Sequence, residues 1–332
     1  MRRLSEESLR IAINLEQRYS AWLDITRERE SMPTSMFFTK KGTSEYLTVK
    51  NGDRSTTIGA RSPETEKTLA EYTGRRDLLD QSLRDIGAAM GEIIAQYKAL
   101  RLPTLPTKIA KILRELDIAG NLGVELVVVG TNAFPAYELA CGIRMPEDPT
   151  EDFDLAWCRT EGVADGSPLM RALKKADSSF RINKSKPYQA LDSMGYEVEM
   201  LVAPSLFKTL SKSEVFSSMA VFPEQEWLLL GRQIRSVVVS SDGKPCPLVV
   251  PDPRYMALLK IWLSKKPERN PLKVAKDRRQ GESLLLATAN SLQSSHPIDI
   301  DFVLGLPEEL MPVFNEWAAS NAFIPAAGYD MR

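Results

Sequence analysis

A single histidine stands among the 332 residues of this chain: His296, in the polar stretch Ser294-Ser295-His296-Pro297. The stretch reads as a loop, and the scarcity excludes most histidine-based catalysis and zinc sites. Cysteine is nearly as rare. Cys141, Cys158 and Cys246 are far apart, odd in number and in no metal-like spacing, and so read as reduced thiols in a cytoplasm. No apolar run approaches the roughly 20 residues needed to span a bilayer. Met1-Arg2-Arg3-Leu4-Ser5-Glu6-Glu7 turns acidic where a secretory leader would turn apolar. A cytoplasmic protein with no membrane partner is therefore expected. The net charge of −1 gives no whole-molecule attraction to nucleic acid, and internal repeats and low-complexity segments are lacking. What remains is ordinary for a folded chain, 43% hydrophobic and 26% charged. Its length predicts two or three units around a sizeable core.

Apolar periodicity orders those units. Leu4, Ile11, Leu15, Tyr19, Trp22 and Leu23 predict an amphipathic helix over 4–30, ended by Met32-Pro33. Asn51-Gly52 between two β-prone runs predicts a hairpin near 44–59. Ser62-Pro63-Glu64 starts a helix that Gly74 divides, and Thr107 caps a shorter one ending near Gly120. From 121 the character becomes α/β: strand 124–129, helix 132–141, strand 151–157, helix 167–176, strands near 179–183 and 188–191, and strand 196–202. A hairpin over 234–250 and helices at 252–264, 272–291 and 307–319 follow, and 320–332 reads as a loosely held tail. The expected organisation is an N-terminal helical region with its hairpin (1–118), an α/β core (119–205) and a C-terminal hairpin and helical domain (206–332).

The chemistry concentrates in the core. Val127-Val128-Val129 runs into Gly130-Thr131-Asn132-Ala133, a small-residue turn that opens a helix. Free backbone N–H groups and the helix dipole make such a turn a seat for phosphates. Asp152 and Asp154 lie two apart on the next strand, so they share one face while Phe153 and Leu155 take the other. Carboxylates held that way suit paired divalent cations. In 196–202, Tyr196, Val198, Met200 and Val202 alternate onto one face, leaving Glu197 and Glu199 on the other. If this strand lies beside 151–157, one of the two glutamates supplies a third acid. Between 260 and 279, eight basic residues stand against two acidic ones, a surface for a triphosphate, an RNA backbone or simply solvent.

Together these residues resemble the nucleotidyltransferase superfamily, polymerase-beta-like proteins with a small Gly turn, a paired-acid strand and a later single acid. Gly130-Thr131, Asp152 with Asp154, and Glu199 match those parts. A closer resemblance, to a bacterial group distantly similar to AbiE-type toxin nucleotidyltransferases, rests on further segments. These are Ser62-Pro63-Glu64-Thr65-Glu66, Tyr137-Glu138, Pro253-Arg254, Lys260-Ile261-Trp262-Leu263, and Lys276-Asp277 with Gln280. Threonine at 131, a long Gly130–Asp152 interval and glutamate as third acid depart from the superfamily pattern.

The resemblance implies an α/β (α+β) fold, a nucleotidyltransferase-type mixed sheet core flanked by helices, with the N-terminal and C-terminal regions described above. It implies transfer of a nucleoside monophosphate from an NTP to a hydroxyl of RNA, protein or a small molecule. Asp152, Asp154 and Glu199 would hold Mg²⁺ or Mn²⁺, and Gly130, Thr131 and Asn132 would cradle phosphates. Lys260 is expected at the triphosphate or on a solvated helix face. Lys276 contacts nucleotide or pairs locally with Asp277, and Arg254 meets ligand or a buried acid. Tyr188 stacks a base or fills a strand, and Trp227, Leu228, Leu229 and Trp262 are expected in the core. Two rival functions share the fold: a catalytically silent nucleotide-binding or interaction module, and a toxin-like enzyme acting on tRNA.

Overall fold

A computed structural model describes residues 1–146, 150, 152–158, 167–210 and 220–327. The architecture is mixed α/β, and contacts divide the chain into two compact units: Asn14–Ala95, and Met1–Ile13 together with Gln96–Arg332.

In the smaller unit, strands Ser35–Lys41, Ser44–Asn51 and Arg54–Ala60 form an antiparallel meander. The hairpin expected at Asn51-Gly52 is its second turn; Gly42 makes the first, in the same left-handed conformation. The strand Ser35–Lys41 was missing from the sequence reading. Helix Pro63–Ala99 runs unbroken through Gly74, around which the space is open. One exposed glycine costs only about 1 kcal/mol against so long a helix. Its start is capped as expected, Thr65 N–H donating to Ser62 Oγ at 3.3 Å and Ser62 N–H to Thr65 Oγ1 at 2.8 Å. Arg29 pairs with Asp80 at 2.7 Å, joining the two long helices within this unit.

The larger unit is built on a sheet whose strands run in the order Leu126–Val128, Phe153–Trp157, Glu197–Val202, Gln189–Leu191 and Arg181–Ile182. Phe153–Trp157 pairs antiparallel with the first strand and parallel with Glu197–Val202. Each strand alternates as its sequence predicts: in Glu197–Val202, Val198, Met200 and Val202 are buried while Glu197 and Glu199 are half-exposed. A second sheet joins the hairpin Ile234–Ser240/Pro245–Val250 to the short strand Thr104–Leu105.

Two expectations at the C-terminal end change. The last helix is Met311–Ser320, preceded by a short helix, Ile300–Leu304, that Asp299 caps through Phe302 N–H at 2.9 Å. Residues up to 327 are held rather than loose. The Phe323 ring packs at 5.2 Å from Trp317, and Ile300 N–H donates to Ala326 O at 3.0 Å. Residues 328–332 of the expected tail lie outside those described. His296 is a loop residue as expected, though buried, with Nε2 3.0 Å from Arg232 O.

Helices Pro253–Ser264 and Pro271–Ser291 cross at Gly281, where a Cβ would stand 2.6 Å from Ala257 O and 2.7 Å from Ile261 Cγ1. Only glycine lets the two backbones approach so closely. Gly281→Ala should therefore destabilise the protein by about 1–3 kcal/mol, overpacking outweighing the gain of about 1 kcal/mol in helix propensity. Urea unfolding checks this; a variant as stable as the parent would contradict so close a crossing.

Candidate active site

The turn after Leu126–Val128 and the strand Phe153–Trp157 are locked together at one point. Gly130 has φ +68°, and a Cβ on it would stand 2.5 Å from Asp154 Oδ2. No other residue fits there without moving the carboxylate. Val129 N–H donates to Asp154 O at 3.1 Å, and Asn132 Nδ2 donates to Asp152 O at 2.9 Å. The side chain of Asn132, expected only to lend its backbone to a phosphate seat, ties the turn to the acid strand. Gly130–Ala133 is a 3₁₀ turn that leads into helix Phe134–Cys141.

Glu199 is the register partner of Asp154 across the parallel pair, so the two carboxylates come from neighbouring strands on one face. Glu199 and Glu197 both accept from Gln189 Nε2, at 2.5 Å and 3.1 Å. Glu199, not Glu197, joins Asp152, Asp154 and Gly130 in lining a cavity of about 250 Å³. The opposite wall comes from the C-terminal half: Phe222, Gln225, Lys260, Arg269 and Lys273. Acids thus face cations across the cleft. Lys273 Nζ stands 3.5 Å from Asp152 Oδ2.

Lys260 lies in this cleft and is buried, 6% exposed, which removes the solvated-face reading. Its ammonium donates to Asp277 Oδ1 at 2.8 Å, and Arg269 Nε donates to Asp277 Oδ2 at 2.8 Å. One buried carboxylate therefore holds two cations at the wall of the cleft. A buried charge without such partners would be strongly unfavourable.

The structure does not bring Arg254 to the cleft. Its guanidinium meets a buried acid, Asp252, at 2.7 Å, donates to Pro297 O at 2.7 Å, and lies 4.5 Å over the Phe302 ring. Asp252 caps the same helix two residues earlier, which settles the electrostatic conflict of an arginine at a helix start. Lys276 is half-buried and lines neither this cleft nor the larger cavity described next. The same holds for Tyr188, a half-buried residue whose carbonyl accepts from Met200 N–H at 3.0 Å. Of the expected core residues, Trp227 and Leu228 are buried and Leu229 and Trp262 half-buried. Sequence reasoning did not single out Lys273 or Arg269 from the basic segment.

Thr131 and Asn132 face away from the acid cleft, into a second cavity of about 780 Å³ that also reaches Thr150 and Gln280.

Asp154 feels the crowding. Burial, then Glu199 and Asp152, push its carboxyl up from 3.8 to about 6, while Lys260 and Lys273 pull the other way. Three carboxylates with mutual repulsion are the donors a hard divalent cation takes, so the residues fit such an ion in kind and charge. In position they are not yet gathered. Among the described residues no three histidine, cysteine, aspartate or glutamate side chains stand close enough to hold a metal as placed. Glu199 bonds to Gln189 and Asp152 meets Lys273 instead. The thiols take no part: burial pushes Cys141 and Cys246 up to about 12.

A family model described as nucleotidyltransferase matches residues 107–299, a span holding both strands of acids, the Gly130 turn and the three cations. No curated protein and no solved structure matches the chain. Among the described residues no helix is long and apolar enough to cross a membrane.

The raised carboxyl makes a pH-dependent prediction. Its folded value of about 6 lies above the ordinary 3.8, so the folded state loses stability as pH rises between the two, and the loss is complete above about 6. Asp154→Asn should then be more stable than the parent by roughly 2–3 kcal/mol at pH 7.5 in EDTA, and equal to it near pH 4. Denaturant melts at both pH values check this; an unchanged difference between them would contradict it.

Proposed function

The chain belongs to the nucleotidyltransferase family, and from that premise we propose that the acid cleft moves a nucleoside monophosphate from an NTP to a hydroxyl acceptor. The observation that carries this reading is the register pairing of Asp154 with Glu199 beside the Gly130 turn, opposite Lys260, Arg269 and Lys273.

Asp152, Asp154 and Glu199 are the residues that would hold Mg²⁺ or Mn²⁺. When bound, such ions make the acceptor hydroxyl more acidic and neutralise charge on the transferring phosphate. The chain's own residues do the rest. Backbone N–H groups of the Gly130-Thr131-Asn132 turn, at the head of helix Phe134–Cys141, seat phosphate oxygens. Lys260 and Arg269, steadied by Asp277, and Lys273 from the same wall stabilise charge on the departing pyrophosphate. Glu199 takes the proton of the acceptor hydroxyl as its oxygen bonds to the α-phosphorus and the bond to the β-phosphate bridge oxygen breaks. Rate enhancement comes from positioning and electrostatics.

The acceptor is RNA, protein or a small molecule. The likeness of several segments to bacterial AbiE-type toxins makes tRNA one acceptor to include, in a cytoplasmic setting. A second reading, a silent nucleotide-binding module, is favoured by two contacts: Gln189 on Glu199 and Lys273 on Asp152 occupy the carboxylates that an ion needs.

Incubation with each α-labelled NTP, Mg²⁺ and total cell RNA should label RNA or protein. Asp152→Asn with Asp154→Asn should reduce the label at least about 10³-fold, and Lys260→Met by about 10–100-fold with a raised KM for NTP. Calorimetric binding of NTP without any transfer selects the silent module. Transfer that survives the double aspartate change contradicts the assignment.

A further inference from the structure

The larger cavity, about 780 Å³, lies within the size range of small-molecule sites, roughly 300–1,000 Å³. It shares the Gly130–Asn132 turn with the acid cleft: Gly130 lines the cleft, Thr131 and Asn132 line the cavity. Thr150, two residues before Asp152, lines it as well. Its walls are flat and apolar where Leu102, Phe134 and Pro135 meet it, with isolated polar groups between them. One of those groups is unsatisfied. Gln280 is 3% exposed, lines the cavity, and its Oε1 has no hydrogen-bond partner. A buried amide oxygen left unpaired is costly and in a folded protein calls for an explanation. A ligand N–H in the cavity supplies one.

We propose that this cavity takes a nucleoside, with its heteroaromatic base between the apolar walls and an N–H of the base donating to Gln280 Oε1. Apolar faces with a few placed polar groups suit a base and its ribose, because each base offers two π-faces and an edge of donors and acceptors. Carbohydrate or peptide ligands would demand more polar contacts than these walls supply. The nucleoside comes from one of two sources, the incoming NTP or the terminal nucleotide of an RNA acceptor. Either places its phosphate or its hydroxyl toward the Gly130 turn. The inference deepens the reading of the acid cleft and rests on it for the class of ligand; the cavity and the unpaired amide stand independently of catalysis.

The test is equilibrium binding to the full chain. Non-hydrolysable analogues of the four NTPs, inorganic tripolyphosphate and a short RNA with a free 3′-hydroxyl are titrated by calorimetry in Mg²⁺. Gln280→Met keeps the side-chain shape without the amide, and Thr104→Trp fills the cavity from an exposed position at its edge. Thermal melting confirms that both fold. At least one NTP analogue should bind more tightly than tripolyphosphate. Gln280→Met should weaken it about fivefold and Thr104→Trp at least about tenfold, with tripolyphosphate unchanged. Loss of RNA binding with NTP binding intact assigns the nucleoside to the acceptor, and the proposal stands. Identical binding of every ligand to parent and both variants overturns it, as does a parent that prefers no NTP or RNA over tripolyphosphate. Cavity-dependent binding without transfer would instead overturn the reading of the acid cleft alone.

Discussion

The carboxylate of Asp154 occupies the space that any side chain at position 130 would need. Gly130 is therefore a requirement of the acid strand as much as of the turn. Its left-handed backbone turns the chain from the strand Leu126–Val128 into the 3₁₀ segment, and its missing Cβ lets the turn press against Asp154. Asn132 fastens the same turn to the backbone of Asp152. The phosphate seat and the acid pair are thus one rigid assembly rather than two motifs that happen to be near each other. The parallel register then brings Glu199 alongside, and burial with mutual repulsion leaves Asp154 hard to ionise. That surplus of negative charge is the driving force for taking up cations.

A second glycine governs the opposite wall. Gly281 lets helices Pro253–Ser264 and Pro271–Ser291 approach until Lys260 reaches Asp277. Asp277 also holds Arg269, and Lys273, one turn earlier on the same helix, meets Asp152 across the cleft. Two tight crossings, one in the sheet and one between helices, fix acids and bases on facing walls. Each charge is set by backbone approach, so its position does not depend on long flexible side chains finding their places.

Much of this was legible in the residues. The period-two pattern of 196–202 separated Glu197 and Glu199 from the core face, and Asp152-Phe153-Asp154 announced a shared face in the same way. Helix ends near Pro63, Thr107 and Pro253 followed from their capping residues. Elements without strong punctuation were missed, such as the strand Ser35–Lys41 and the short helix Ile300–Leu304. Arg254 was offered to a ligand because its acid partner two residues earlier acts through the helix cap, a relation that charge counting does not capture. Lys273 and Arg269 stayed hidden among eight basic residues because the helix crossing decides which of them face the cleft. The larger cavity draws on stretches near 101–106, 131–138, 144–150 and Gln280, so no local pattern could have drawn it.

The central claim, that three carboxylates from two strands gather one cation-binding centre, is tested most directly by titrating the metal-free protein with Mn²⁺ under electron paramagnetic resonance. The account predicts tight Mn²⁺ binding in the parent, lost in Glu199→Gln and kept in Glu197→Gln, because only Glu199 lines the cleft beside Asp154. Binding that is absent from the parent, or that ignores Glu199 and follows Glu197, would contradict it.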